Sequence, residues 1–144
     1  MAVANGVSTA KQANGGMRNP ETYNGKTRVL CDKYVFPADV FAAADFIKIG
    51  TLPIGAVPLR AGIRVGDTGT TGAFSLGTEA DPDGFIATGD SDGAAGLSKA
   101  STTEAQIGQR LAVATDVRVD CTEVTDDAEG VELFAWVEYI VLGE

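Results

Sequence analysis

The chain has 144 residues, 44% hydrophobic and 22% charged, with 11 Lys and Arg against 20 Asp and Glu. That suits one globular domain with a sizeable core, and a net charge of −9 repels phosphate backbones, which argues against general nucleic-acid binding. The absence of histidine removes the commonest general base and metal ligand, and with them every Ser-His or Cys-His nucleophile.

Residues 1–26 differ from the rest. They hold four Gly and four Asn, with Asn-Gly at Asn5-Gly6, Asn14-Gly15 and Asn24-Gly25. Asn-Gly tolerates positive φ and favours tight turns. The apolar residues between are mostly Ala and Val, too small to form a core, so the segment is expected to be an extended arm. Its charge is also different. Residues 1–28 carry Lys11, Arg18, Lys26 and Arg28 against Glu21, a net of +3, whereas residues 29–144 carry seven basic and 19 acidic residues, a net of −12. The arm is expected to lie along another protein, with residues 27–144 forming the folded domain.

From residue 27 the apolar period is near two, which predicts strands. The first runs over 27–36 and stops at Pro37. Residues 38–44 are ambiguous because their alanines favour a helical turn. A strand at 45–52 alternates around Phe46, Ile47 and Ile49, and Pro53, Gly55 and Pro58 break it. A short strand at 61–66 points Ile63 and Val65 inward, 67–72 turns, and 73–77 places Phe74 and Leu76 on one face. Asp81-Pro82-Asp83-Gly84 is a turn signature in which Pro presets φ and Gly is expected at positive φ. Residues 85–88 follow as a strand, 89–96 as a loop and 98–108 as a polar, weakly patterned stretch. A short strand is expected at 109–114, and 116–124 alternates with Val117, Val119 and Cys121 on one face.

After an acidic turn at 125–130, residues 131–142 make the strongest strand. Val131, Leu133, Ala135, Val137, Tyr139 and Val141 share one face; Phe134, Trp136, Ile140 and Leu142 share the other. With both faces apolar, this strand is expected to be central or to lie at a subunit contact. Phe134, Trp136 and Ile140 are the candidate interface residues, the alternative being the other half of the core. Seven to nine short strands with turn chemistry between them describe an all-β fold, an antiparallel β-sandwich of jelly-roll-like form with an extended N-terminal arm.

Catalytic and ligand motifs are weak. Gly25-Lys26-Thr27 lacks the first glycine of a phosphate loop, since Pro20 stands there, and a strand follows in place of a helix. Asp67-Thr68-Gly69 occurs once, so an aspartic protease would need a symmetric dimer, and the flanking sequence is turn-like and glycine-rich. Asp81, Asp83, Asp90 and Asp92 could supply oxygen ligands to calcium, but the spacing is not that of an EF-hand, and solvated turn carboxylates are the simpler reading. Asp126, Asp127 and Glu129 read the same way. Cys31 and Cys121 share strand parity with neighbouring valines and are expected to be buried thiols, with one bridge as the alternative. No metal ligand set, cofactor or enzymatic activity is expected. No stretch reaches the roughly 18 apolar residues of a membrane helix, and the first 30 residues hold no continuous apolar leader.

Several segments share one order: Phe46-Ile47-Lys48-Ile49-Gly50-Thr51-Leu52-Pro53-Ile54-Gly55-Ala56, then Arg64-Val65, Ser75-Leu76-Gly77-Thr78 and Asp81-Pro82-Asp83-Gly84-Phe85-Ile86-Ala87. Thr115-Asp116-Val117 and a closing Gly130…Ala135-Trp136-Val137-Glu138-Tyr139 complete it. Over roughly residues 28–142 this order resembles small virion structural proteins of tailed bacteriophages, of the capsid decoration (cement) or head-accessory kind. The long arm and the loop 89–106 depart from it.

The resemblance implies a β-sandwich that assembles in the host cytoplasm as a homo-oligomer on the outer capsid surface. There it binds the major capsid protein without catalysis. Capsid lattices offer many three-fold sites, which favours a trimer, with dimers at two-folds as the alternative. The expected capsid contacts are arm residues Lys11, Arg18, Tyr23, Lys26 and Arg28, and an arm of this kind can add main-chain hydrogen bonds by strand augmentation. The alternatives are a tail, baseplate or fibre component, or a calcium- or carbohydrate-binding module.

Overall fold

A computed structural model of the chain describes residues 26–37, 45–66, 72–91, 96–121 and 129–142, with backbone only at 90 and 91. These residues form eight strands: β1 Arg28–Val35, β2 Phe46–Leu52, β3 Ala56–Val65, β4 Gly72–Gly77, β5 Ile86–Ser91, β6 Leu97–Ser101, β7 Thr115–Cys121 and β8 Glu132–Val141. They make two four-stranded sheets of order β1-β8-β3-β6 and β2-β7-β4-β5, and every pairing is antiparallel. The first strand pairs with the last, the second with the seventh, the third with the sixth and the fourth with the fifth. This nested pairing, folded over into two layers, is an eight-stranded jelly roll.

Alternation along the strands fills the space between the sheets. Leu133, Ala135 and Val137 of β8 and Ala61, Ile63 and Val65 of β3 face Ile47, Ile49, Phe74, Leu76, Val117 and Val119 of the other sheet, all buried. Phe36 follows β1 and packs on Phe74 with ring centroids 6.1 Å apart, while Tyr34 meets Phe36 edge-on at 5.3 Å. Each buried Val, Leu, Ile or Phe among them contributes about 1.5–3 kcal/mol by leaving water. Among the described residues strands form at 27–36, 45–52, 61–66, 73–77, 116–121 and 131–142 where the periodicity placed them, with Ile63, Val65, Phe74, Leu76, Val117, Val119 and Cys121 inward as expected.

Four expectations are corrected. First, β3 starts at Ala56 and runs through Pro58. In a strand a residue's N–H and C=O leave on the same side. The carbonyls of Ala56 and Pro58 accept from Leu111 and Gly108 at 2.8 and 2.7 Å, so the proline nitrogen points away from β8 and no ladder bond is lost. Second, residues 109–114 form no strand. They are a loop stitched to the β2–β3 turn, with Gly55 N–H donating to the Leu111 carbonyl at 2.9 Å and Leu111 buried as a plug.

Third, the polar stretch after 96 contains β6, an edge strand paired only with β3. Its inward position opposite Ile63 is Lys99, whose ammonium donates to the carbonyls of Ala87 and Thr88 at 3.0 and 3.4 Å and so ties β6 to the opposite sheet. β5 likewise runs further than expected, to Ser91. Fourth, the turn at Asp81 is present, with Gly84 N–H donating to the Asp81 carbonyl at 3.0 Å, but Gly84 is not at positive φ. It ends a turn of the kind that takes Pro second and Gly fourth. Glycine is needed there for room, because a Cβ would stand 2.2 Å from Gln106 Cγ. The ambiguous 38–44, residues 67–71 of the turn at 67–72 with its Asp-Thr-Gly triplet, the last three residues of the strand expected at 116–124, and residues 125–128 of the acidic turn at 125–130 lie outside the described residues.

The inward and outward assignments predict unequal costs for two phenylalanines. Phe74 is fully buried and Phe46 is 50% exposed. In urea unfolding, Phe74→Ala is expected to cost about 3–5 kcal/mol and Phe46→Ala under about 1 kcal/mol. Equal losses would place the core elsewhere.

Candidate functional site

Side chains directly opposite one another on paired strands share a face of the sheet. On the outer face of the β1-β8-β3-β6 sheet, Phe134 of β8 stands between Lys33 of β1 and Arg64 of β3. Trp136 stands between Cys31 and Gly62, Glu138 between Val29 and Arg60, and Ile140 opposite Val57. Phe134 is 41% exposed, and Val29 and Val35 about half exposed. The three candidate interface residues Phe134, Trp136 and Ile140 are therefore brought together on one outward face and form no part of the core.

Trp136 lies flat on the sheet. A Cβ on Gly62 would stand 2.4–2.6 Å from its indole ring, so only glycine lets the ring settle there. The Arg60 guanidinium carbon is 5.7 Å from the ring centroid, and its Nε and Nη2 donate to Glu138 at 2.7 and 3.3 Å. That hydrogen bond, reinforced by the carboxylate charge, raises the Arg60 pKa above its ordinary value. Lys33 Nζ meets Glu132 at 3.3 Å. Lys33, Arg64, Gly66, Val131, Glu132 and Phe134 line a hollow of about 550 Å³.

The other outer face is of different character. There Lys48 pairs with Asp116 at 3.3 Å and Arg118 with Asp120 at 3.0 Å. Thr51 Oγ1 donates to Asp116 at 2.6 Å, and this bond and Lys48 hold the Asp116 carboxyl below its ordinary value. Phe46, the exposed aromatic on that side, has the Arg118 guanidinium 4.4 Å from its centroid.

Of the candidate arm contacts, Lys11, Arg18 and Tyr23 lie outside the described residues. Lys26 and Arg28 are exposed where the chain enters β1. Of the acidic loop residues, Asp92, Asp126 and Asp127 and the side chain of Asp90 lie outside as well. Asp81 acts structurally: its carbonyl accepts from Thr78 and Gly84, and its carboxylate accepts from Gln106 Nε2 at 3.2 Å. Among the described residues no three Cys, Asp or Glu side chains converge to hold a metal, and no helix is long and apolar enough to cross a membrane.

Neither cysteine is bridged, and Cys31 is exposed, contrary to the buried pair expected from parity. Cys31 shares its parity with Val29 and Val35, and that is the outward side of β1; Leu30, Tyr34 and Phe36 occupy the inward side. The alternation in β1 shows this apolar row but not which side of the strand meets the core. Cys121 faces the core as expected.

The fold is similar to chains of three solved phage capsids. In the capsid asymmetric unit of cyanophage Pam1, a chain 15% identical matches with a TM-score of 0.68 over 91% of this chain and 96% of its own. One from the capsid of Ralstonia phage GP4, 23% identical, matches at 0.65 over 92% and 94%. Another, from the acidic stable capsid of Helicobacter pylori bacteriophage KHP30, is 18% identical and matches at 0.58 over 80% and 87%. At these identities the likeness is one of fold. No protein-family model and no curated sequence matches the chain.

The two cysteines supply a direct check on the faces. Burial, with the charges of Asp120 and Asp45 adding to it, pushes the Cys121 thiol up to about 12. Iodoacetamide near pH 8 is expected to alkylate Cys31 in the native protein and to reach Cys121 only in denaturant. Above the ordinary thiol value of 9.0 the unfolded chain loses the Cys121 proton and the folded chain keeps it. Stability from this group is thus complete below that value and falls as pH rises towards about 12. Cys121→Ala is expected to remove that part of the slope.

Proposed function

We propose that the protein is a non-catalytic virion structural protein that decorates and cements the outer surface of a phage capsid by binding the major capsid protein. The observation that carries this reading is the agreement of the jelly roll with phage capsid chains over nearly their whole length, 96% and 94% in two of them. Three differently named phages share this fold with the chain, all in structures of capsids. This favours a capsid position over the tail, baseplate or fibre alternative.

The surface chemistry suits such a role. A cement protein works through many individually weak contacts repeated over a lattice, and oligomerisation multiplies them through effective concentration. The outer face of the β1-β8-β3-β6 sheet offers Phe134, Trp136 and Ile140 among charges that are largely paired, and these three are proposed to pack between subunits of a homo-oligomer, taken as a trimer. The basic arm, through Lys11, Arg18, Tyr23, Lys26 and Arg28, is proposed to be the capsid contact. Among the described residues the strand pairings of the sandwich fall within 28–141.

Removal of residues 1–26 is expected to leave a folded protein that binds capsids at least about tenfold more weakly than the full chain, since the tethered foothold is lost. Sedimentation with capsids and electron microscopy of the decorated particle measure both. Full occupancy by the truncated protein would overturn the arm assignment. Density for the full chain on the tail, with none on the capsid, would overturn the proposed function.

A further inference from the structure

Within the outer sheet face the charges are answered one by one, except at the hollow beside Phe134. Glu132 there is met by Lys33, and Arg60 nearby by Glu138. Arg64, on the far side of Phe134, has no ion-pair or hydrogen-bond partner among the described residues. A guanidinium next to an exposed aromatic ring offers a fork of donors for a carboxylate and an apolar floor for its stem.

The complementary surface lies elsewhere on the same chain. Glu79 and Asp83 are exposed on the turn after β4, and neither carboxylate has a partner among the described residues. The turn is held rigid by the bonds of Thr78 and Gly84 to the Asp81 carbonyl. Beside it Val113, 66% exposed, lines a second hollow together with Glu79. The two surfaces stand at opposite ends of the sandwich. Phe36 bonds Val131 at the Arg64 end and packs on Phe74 near the start of β4, so the far end of β4, with Glu79 beyond it, points the other way.

We propose that the Arg64–Phe134 hollow of one copy receives the acidic Glu79–Asp83 turn and Val113 of a second copy, a head-to-tail contact. This rests on the reading of Phe134 as a subunit-interface residue and names what it meets. A chain of net charge −9 repels its copies, and a cation that meets carboxylates across the contact offsets that repulsion. Because the two patches differ, the contact is heterologous: it gives a ring, such as a trimer, where the rotation closes and an open filament where it does not, and not a two-fold dimer.

The test is the mass of the full-length chain by light scattering across protein and salt concentrations. Arg64→Glu and Glu79→Lys are each expected to weaken association by about tenfold or more, and about 0.5 M salt to act in the same direction on the wild type. The double variant Arg64→Glu/Glu79→Lys exchanges the pair within one chain and is expected to regain the oligomer. A wild type that stays monomeric, an unchanged mass for either single variant, or no rescue by the double variant would overturn the proposal. Phe134→Ser separates the two readings. If it dissociates the oligomer while Arg64→Glu does not, the interface stands and the carboxylate contact falls; if neither does, both fall.

Discussion

The structure depends on strand β8 being held on both sides. It pairs with β1 along one edge and with β3 along the other, burying Leu133, Ala135, Val137 and Val141 beneath it. Its period of two puts Phe134, Trp136 and Ile140 on the outer side, so one strand supplies both the centre of the core and the centre of the exposed face. A register slip of one residue would exchange those roles, placing Glu132 and Glu138 inside and the core residues in water. The unpaired burial of two carboxylates makes that alternative prohibitive.

The two outer faces explain why one of them is the candidate for contact. Around Lys48, Asp116, Arg118 and Asp120 the surface is polar, and its lone exposed aromatic among the described residues is already capped by a guanidinium. Around Trp136 the ring is laid flush by Gly62, and paired charges flank the apolar row. An exposed apolar row rimmed by polar residues is the kind of patch that protein contacts use.

Much of the fold was legible because strand parity reports burial wherever a strand carries several apolar residues on one side. Val117, Val119 and Cys121, or Phe74 and Leu76, leave no ambiguity. Legibility failed where one strand face alone was readable or where the pairing was non-local. β6 has one inward apolar residue, Leu97, and its next inward position is a lysine that reaches across to the other sheet. Pro58 stands in a strand because its nitrogen points to a loop distant in sequence. β1 carries apolar residues on both sides, and parity alone could not tell which of Val29 and Leu30 meets the core. The candidate site was legible as a set of residues, Phe134, Trp136 and Ile140. Its counterpart on β1 and the isolation of Arg64 depend on register, which one sequence does not contain.

The nested pairing also fixes the timetable of biosynthesis. Lys33 and its partner Glu132 are 99 positions apart, and β1 has no neighbouring strand in its sheet until β8 is made. A ribosome therefore extrudes β1 long before the sheet that receives it can exist, and closure waits until β8 has emerged. High contact order of this sort slows folding and leaves strand edges open in the interval. The acidic body carries its own safeguard for that period, since like charge on nascent chains of one polysome keeps their unclosed edges apart.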